Sequence, residues 1–144
     1  MTDNREIFDK YKDTMIHLQE ILSKLRQMEN ELTSAAAEQD TEAMNQLVNA
    51  SQPDMLTFRG LEGKRASCEK ELGIQGKPFR EVLSECTDEQ RKVLKPVYDA
   101  ISRELKLFED ARDSADRIMK VRLMDVNEAL KDIPLPSAFP DTHA

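Results

Sequence analysis
Few residues of this 144-residue chain have types and spacing suited to bond-making chemistry. They are His17 and His143 as proton carriers, Cys68 and Cys86 as nucleophiles or metal ligands, and a Gly-Lys pair in LEGKRAS that shares two letters with a phosphate loop. Each would need a companion. A general base works through an oriented partner in a cleft, and neither histidine has a matching pattern nearby. No Glu-x-x-His pair offers two metal ligands on one helix face. The cysteines lack CxxC or metal spacing and sit among charged residues, which predicts two free thiols. LEGKRAS lacks the upstream glycine and the preceding strand that a phosphate loop requires. The acidic residues are spread along helix faces, where solvation and pairing with Lys or Arg four residues away account for them. The expectation is a protein that is not an enzyme and uses no cofactor or metal.

Composition points the same way. The chain is 39% hydrophobic and 34% charged with only 4 Gly and no Trp, which suits long amphipathic helices better than turn-rich sheets. A net charge of -7 opposes a nucleic-acid footprint, since binding phosphates needs clustered Lys and Arg. No run approaches the roughly 20 apolar residues of a membrane span, and residues 1–30 hold no apolar core of an export signal. A cytoplasmic location is expected.

The elements follow from periodicity. From Glu6 to about Glu38, Ile7, Tyr11, Met15, Leu18, Leu22, Leu25 and Leu32 recur at steps of three or four, predicting a first long helix. Asp40 can cap a second helix starting at Thr41. Its stripe runs through Met44, Leu47, Val48, Ser51, Met55, Phe58, Arg65, Cys68 and Leu72. The phase survives Pro53, so one kinked helix is expected, against a break near Ala50 with a restart at Ser51. Gly60 and Gly63 lie one turn apart, either admitting a close neighbour or weakening the helix. In LGIQGKP, Gly73 is a left-handed cap, Gly76 a turn residue and Pro78 the first residue of a short helix to about Glu85. Phe79, Val82 and Leu83 would plug one end. Thr87 and Gln90 form a capping box for a third long helix running to about Lys131. Its stripe is Val93, Leu94, Val97, Tyr98, Ile101, Leu105, Phe108, Ala111, Ala115 and Met119, with a bend at Pro96.

The predicted fold is all-α: an elongated antiparallel bundle of three long helices plus one short helix. Residues 1–131 form the single helical-bundle domain, and 132–144, with three prolines in IPLPSAFPDTHA, a proline-rich tail.

The third long helix carries more apolar residues than one bundle seam uses. In RIMKVRLMDV, Met119 and Val126 continue the stripe, while Ile118, Val121, Leu123 and Met124 spread over other faces. This end is wrapped by its own bundle and tail, forms a groove for a partner helix, or self-associates. The methionines suit a surface that adapts to a helix, and serve equally as core filler.

Glu29 to Leu32, Asp40, Leu47, and then Met55, Phe58, Leu61 and Arg65 in MLTFRGLEGKRASCEKELG follow one another along the chain. In this order they resemble the FlgN family of flagellar type III export chaperones. VLKPVYDAISRELKLFEDARDSADRIMKVRLMDVNEAL is similar to the family's long C-terminal helix. It covers roughly residues 10–131, and departs from the family where an Asn-x-x-Asn pair is replaced by Asp113 and Asp116. The resemblance implies a bacterial cytosolic chaperone. It would bind a C-terminal helix of hook-associated (hook-filament junction) proteins and prevent their premature assembly. The implied partner surface is Ile118, Met119, Val121, Leu123, Met124 and Val126, reading a client's apolar face at i, i+3, i+4 and i+7. The alternative is a non-enzymatic coiled-coil adaptor or structural protein that oligomerises through its seams.

Overall fold
The computed structural model describes the backbone of residues 5–130; the side chains of residues 115, 116 and 118–130 lie outside the described set, as do residues 1–4 and 131–144. Four helices follow in order: α1 (Arg5–Ala37), α2 (Thr41–Leu72), α3 (Phe79–Glu85) and α4 (Asp88–Leu130). The all-α bundle of three long helices and one short helix is therefore observed.

Helix α1 is the centre of the bundle because its apolar face is wide. Its buried residues fall on three heptad positions: Phe8, Met15, Leu22 and Ala36; Tyr11, Leu18 and Leu25; Thr14, Ile21 and Ala35. A two-position seam serves one neighbour, and the third position lets α1 pack on both α2 and α4. Between α2 and α4 themselves, no described Cα atoms come within 8 Å. Helix α2 runs back along α1, and α4 runs parallel to α1. Tyr11 meets Tyr98, Arg26 meets Glu104, and Phe108 lies level with the stretch from Leu25 to Leu32.

The helix boundaries have identifiable causes. After α1 the chain turns through Gln39 at φ 58°, and the Asp40 carboxylate accepts a 3.0 Å hydrogen bond from the Ala43 amide. That cap contributes about 1 kcal/mol. Gly73 closes α2 at φ 73°, a conformation that would strain a residue with a Cβ. Gly76 also adopts positive φ. Pro78 precedes α3 as its cap rather than forming its first turn. The capping box is present at α4: the Thr87 amide donates to Gln90 Oε1 at 3.0 Å and the Gln90 amide to Thr87 Oγ1 at 3.2 Å.

Helix α2 is continuous through Pro53, which excludes the restart at Ser51. The close-approach reading of Gly60 and Gly63 is corrected: a Cβ at either position would meet nothing within 4 Å. Both cost helix propensity without a packing return. Gly60→Ala and Gly63→Ala are each expected to raise unfolding free energy by nearly 1 kcal/mol in urea titrations. A loss of stability in either variant would show an unrecognised need for glycine.

The core joins α1 residues to Leu61, Cys68 and Leu72 of α2, to Ile74 and Val82, and to Leu94, Tyr98 and Ile101 of α4, with Phe79 and Leu83 packed against it. It lies toward the end where α3 caps the bundle. Both cysteines are free and buried in it. Two stripe assignments are also corrected. Val93 and Leu105 are each 40% exposed, and the inward position beside Leu105 belongs to Glu104 at 8%. In α2, Val48 and Met55 turn outward, while Ser51 and Asp54 are half-buried. His17 is exposed on α1.

Candidate partner-binding surface
The segment predicted to bind a partner lies on the last turns of α4. Ile118, Met119, Val121, Leu123, Met124 and Val126 are all within its helical backbone, but their side chains fall outside those described. What positions them is the length of the helices. Helix α4 has 43 residues and α1 has 33, and the two start side by side, with Arg5 and Phe8 beside Thr87, Gln90 and Val93. Ten extra residues at 1.5 Å each carry α4 about 15 Å beyond the length of α1.

Next to this extension is an apolar groove that the stripes did not reveal. Leu25, Met28 and Leu32 of α1 form its floor, Leu47, Val48 and Met55 of α2 one wall, and Phe108 of α4 the other. The cavity measures about 130 Å³. Val48, Ser51 and Met55 of α2 line it together, and α2 and α4 stay apart along the described bundle. Leu56 is 66% exposed on the same stretch of α2, and Leu107 of α4 is 40% exposed. Clustered exposure of large apolar side chains marks interaction sites, whereas a single exposed Leu does not.

The opposite end carries a larger and more open concavity. A concavity of about 520 Å³ is lined by Tyr11, Arg65, Glu69, Ile74, Lys77 and Phe79, among others. The Tyr11 and Tyr98 hydroxyls hydrogen-bond at 2.7 Å, Phe79 stacks on Tyr98 with centroids 3.9 Å apart, and Tyr11 meets Tyr98 edge-on. Burial, the largest cause, pushes Tyr98 up to about 12 and raises Tyr11 further, so both phenols stay protonated near neutral pH. Arg65 is clamped by Glu62 at 2.7 Å and Glu69 at 2.6 Å, and its charge is held more firmly than usual, chiefly by the Glu62 hydrogen bonds. Lys77 pairs with Glu85 at 2.7 Å. These groups satisfy one another, an arrangement that holds a bundle end together.

Burial also raises both cysteine thiols, which disfavours the nucleophilic thiolate. Among the described residues, no group of three or more His, Cys, Asp and Glu could hold a metal ion, and no helix is long and apolar enough to cross a membrane. The signal for the groove was present in the sequence as Val48 and Met55. Both also fit a helical seam, which conceals it. Comparison with protein-family models, curated proteins and solved structures gives no match to this chain.

Proposed function
We propose that this protein is a non-enzymatic, cytosolic helical chaperone of the FlgN type that binds a C-terminal amphipathic helix of hook-associated flagellar proteins and keeps them from assembling before export. The observation that carries the reading is a small apolar cavity between α2 and α4, floored by α1, beside an α4 that is ten residues longer than α1. A fourth helix laid in that groove would cover Leu32, Val48, Met55 and Phe108, as helix-in-groove recognition does. The longer α4, with Ile118, Met119, Val121, Leu123, Met124 and Val126, would extend the contact along the client. Met28, Met55, Met119 and Met124 supply flexible side chains that conform to different client helices.

The test is titration of the purified protein with labelled C-terminal helices of hook-associated proteins from the source organism. Val121→Asp is expected to weaken binding by at least about 100-fold, the scale of a lost interface anchor, while circular dichroism stays helical. Met55→Asp, on the described wall of the groove, is expected to act likewise. A wild-type protein that binds none of these helices would overturn the chaperone reading. Binding that survives both substitutions would move the client elsewhere on the molecule.

A further inference from the structure
Helix α3 leans on α4 and stands off the other long helices: among the described residues, none of its Cα atoms comes within 8 Å of α1 or α2. The concavity of about 520 Å³ occupies that separation. Its volume falls within the roughly 300–1,000 Å³ of small-molecule sites. Tyr11, Ile74 and Val82 form a floor that belongs to the core, and half-buried Phe79 closes one side. Tyr98 stacks on one face of the Phe79 ring at 3.9 Å, so the remainder of that ring is what a guest would meet.

The ionic groups around this apolar floor divide unevenly. Arg65 and Lys77 line the concavity, but of the carboxylates that hold them only Glu69 does, while Glu62 and Glu85 stand outside the lining. The lining carries two cations and one carboxylate. A guanidinium has five N–H groups, and Arg65 gives Nε and Nη2 to Glu62 and Nη1 to Glu69, which leaves one N–H on each terminal nitrogen. An ammonium has three, and the two contacts of Lys77 Nζ to Glu85 leave at least one. Both cations keep donors in reserve. The Glu62 hydrogen bonds raise Arg65 and the Glu85 hydrogen bond raises Lys77 above their usual values, so both stay charged. Side chains already held by their glutamates lose little freedom when a further acceptor arrives.

We infer that this concavity binds an aromatic carboxylate, its ring against Phe79 over Tyr11, Ile74 and Val82, and its carboxylate on the remaining N–H groups of Arg65 and Lys77. A guanidinium fork suits a two-oxygen anion, and ring against ring adds to the area buried. The inference is independent of the chaperone reading, since it uses neither the hairpin-end groove nor the last turns of α4.

Amide NMR of the full chain, titrated with N-acetylphenylalanine and with its uncharged amide, tests it. The two probes share a ring and differ in the anion. The acid is expected to move the Gln75, Gly76 and Lys77 signals and to bind about tenfold more tightly than the amide at low salt, the scale of a charged hydrogen bond. Lys77→Met should weaken the acid about tenfold and leave the amide unchanged. Ala66 is exposed and lines the concavity, so Ala66→Trp should fill the space and abolish binding of both probes while circular dichroism stays helical. If that variant loses helicity, Gln75→Trp on the exposed loop replaces it. An N-acetylated tripeptide ending in a free phenylalanine carboxylate separates the sources: tighter binding than the single amino acid assigns the ligand to a protein C-terminus, and equal binding to a free acid, with the site standing in either case. The proposal is overturned if neither probe moves these signals at millimolar concentration, or if acid and amide bind alike. It is also overturned if the acid keeps wild-type affinity in both variants. None of these results depends on client binding in the groove.

Discussion

Tyr98→Ala is expected to destabilise the protein by about 3–5 kcal/mol, the range for removing a large buried aromatic ring. Tyr98 is 1% exposed and is the point where three helices meet. Its ring stacks on Phe79 of α3 at 3.9 Å and takes the edge of Tyr11 of α1 at 6.4 Å, while its hydroxyl bonds that of Tyr11. The truncation opens a cavity under α3 and leaves the Tyr11 hydroxyl without its partner. The hydroxyl contribution separates from the ring contribution in a double-mutant cycle. Tyr98→Phe alone should cost about 1–3 kcal/mol, because Tyr11 retains a buried hydroxyl, whereas Tyr11→Phe with Tyr98→Phe should lie closer to wild type than the single changes predict. Urea unfolding followed by circular dichroism reads all four variants. A Tyr98→Ala cost below about 1 kcal/mol would mean that this end is not the stable part of the bundle.

The helices and their caps were legible because they are written locally. Asp40, Gly73, and the pair Thr87 and Gln90 act within a few residues, so their types and spacing suffice to place a helix end. The width of α1's buried face was less legible. Thr14 and Ile21 add a third heptad position, and a seam read at two positions omits both. Tertiary choices were not legible at all where two adjacent residues compete for one inward site. At 104 and 105 hydrophobicity favours Leu105, yet Glu104 is inside because Arg26, 78 residues earlier in the chain, is there to meet it. At 54 and 55 the same inversion leaves Asp54 half-buried and Met55 more exposed, at the lining of the groove. The proposed binding surface was thus half legible: the apolar excess of residues 118–126 shows in the sequence, while the groove depends on which residues α1, α2 and α4 bring together. The Tyr11 and Tyr98 pair was similarly hidden, since each fits its own stripe and only the parallel register of α1 and α4 brings the hydroxyls together.

Arg26→Met is expected to cost about 3 kcal/mol, near the lower end of the range for breaking a buried ion pair. Arg26 Nε donates to Glu104 Oε2 at 2.8 Å, with side-chain exposures of 25% and 10%. The more exposed guanidinium regains water when the pair is broken, whereas the enclosed carboxylate does not, so losing the cation costs more than losing the acid. Methionine keeps an apolar stem of similar length, which confines the loss to the charge. Glu104→Leu alone should therefore be milder. The double change Arg26→Met with Glu104→Leu should return to within about 1 kcal/mol of wild type, as replacing a whole buried pair by apolar residues often does. The pair sits between the end where α3 packs on α4 and the hairpin end, where the apolar groove lies. If its role is to hold Glu104 rather than Leu105 against α1, the double variant should keep its stability but rotate α4 there. An engineered thiol at Phe108 would then report a change in solvent access relative to wild-type pairing. If the double variant is instead as unstable as Arg26→Met, the loss belongs to side-chain packing at position 26 and not to an unpaired carboxylate.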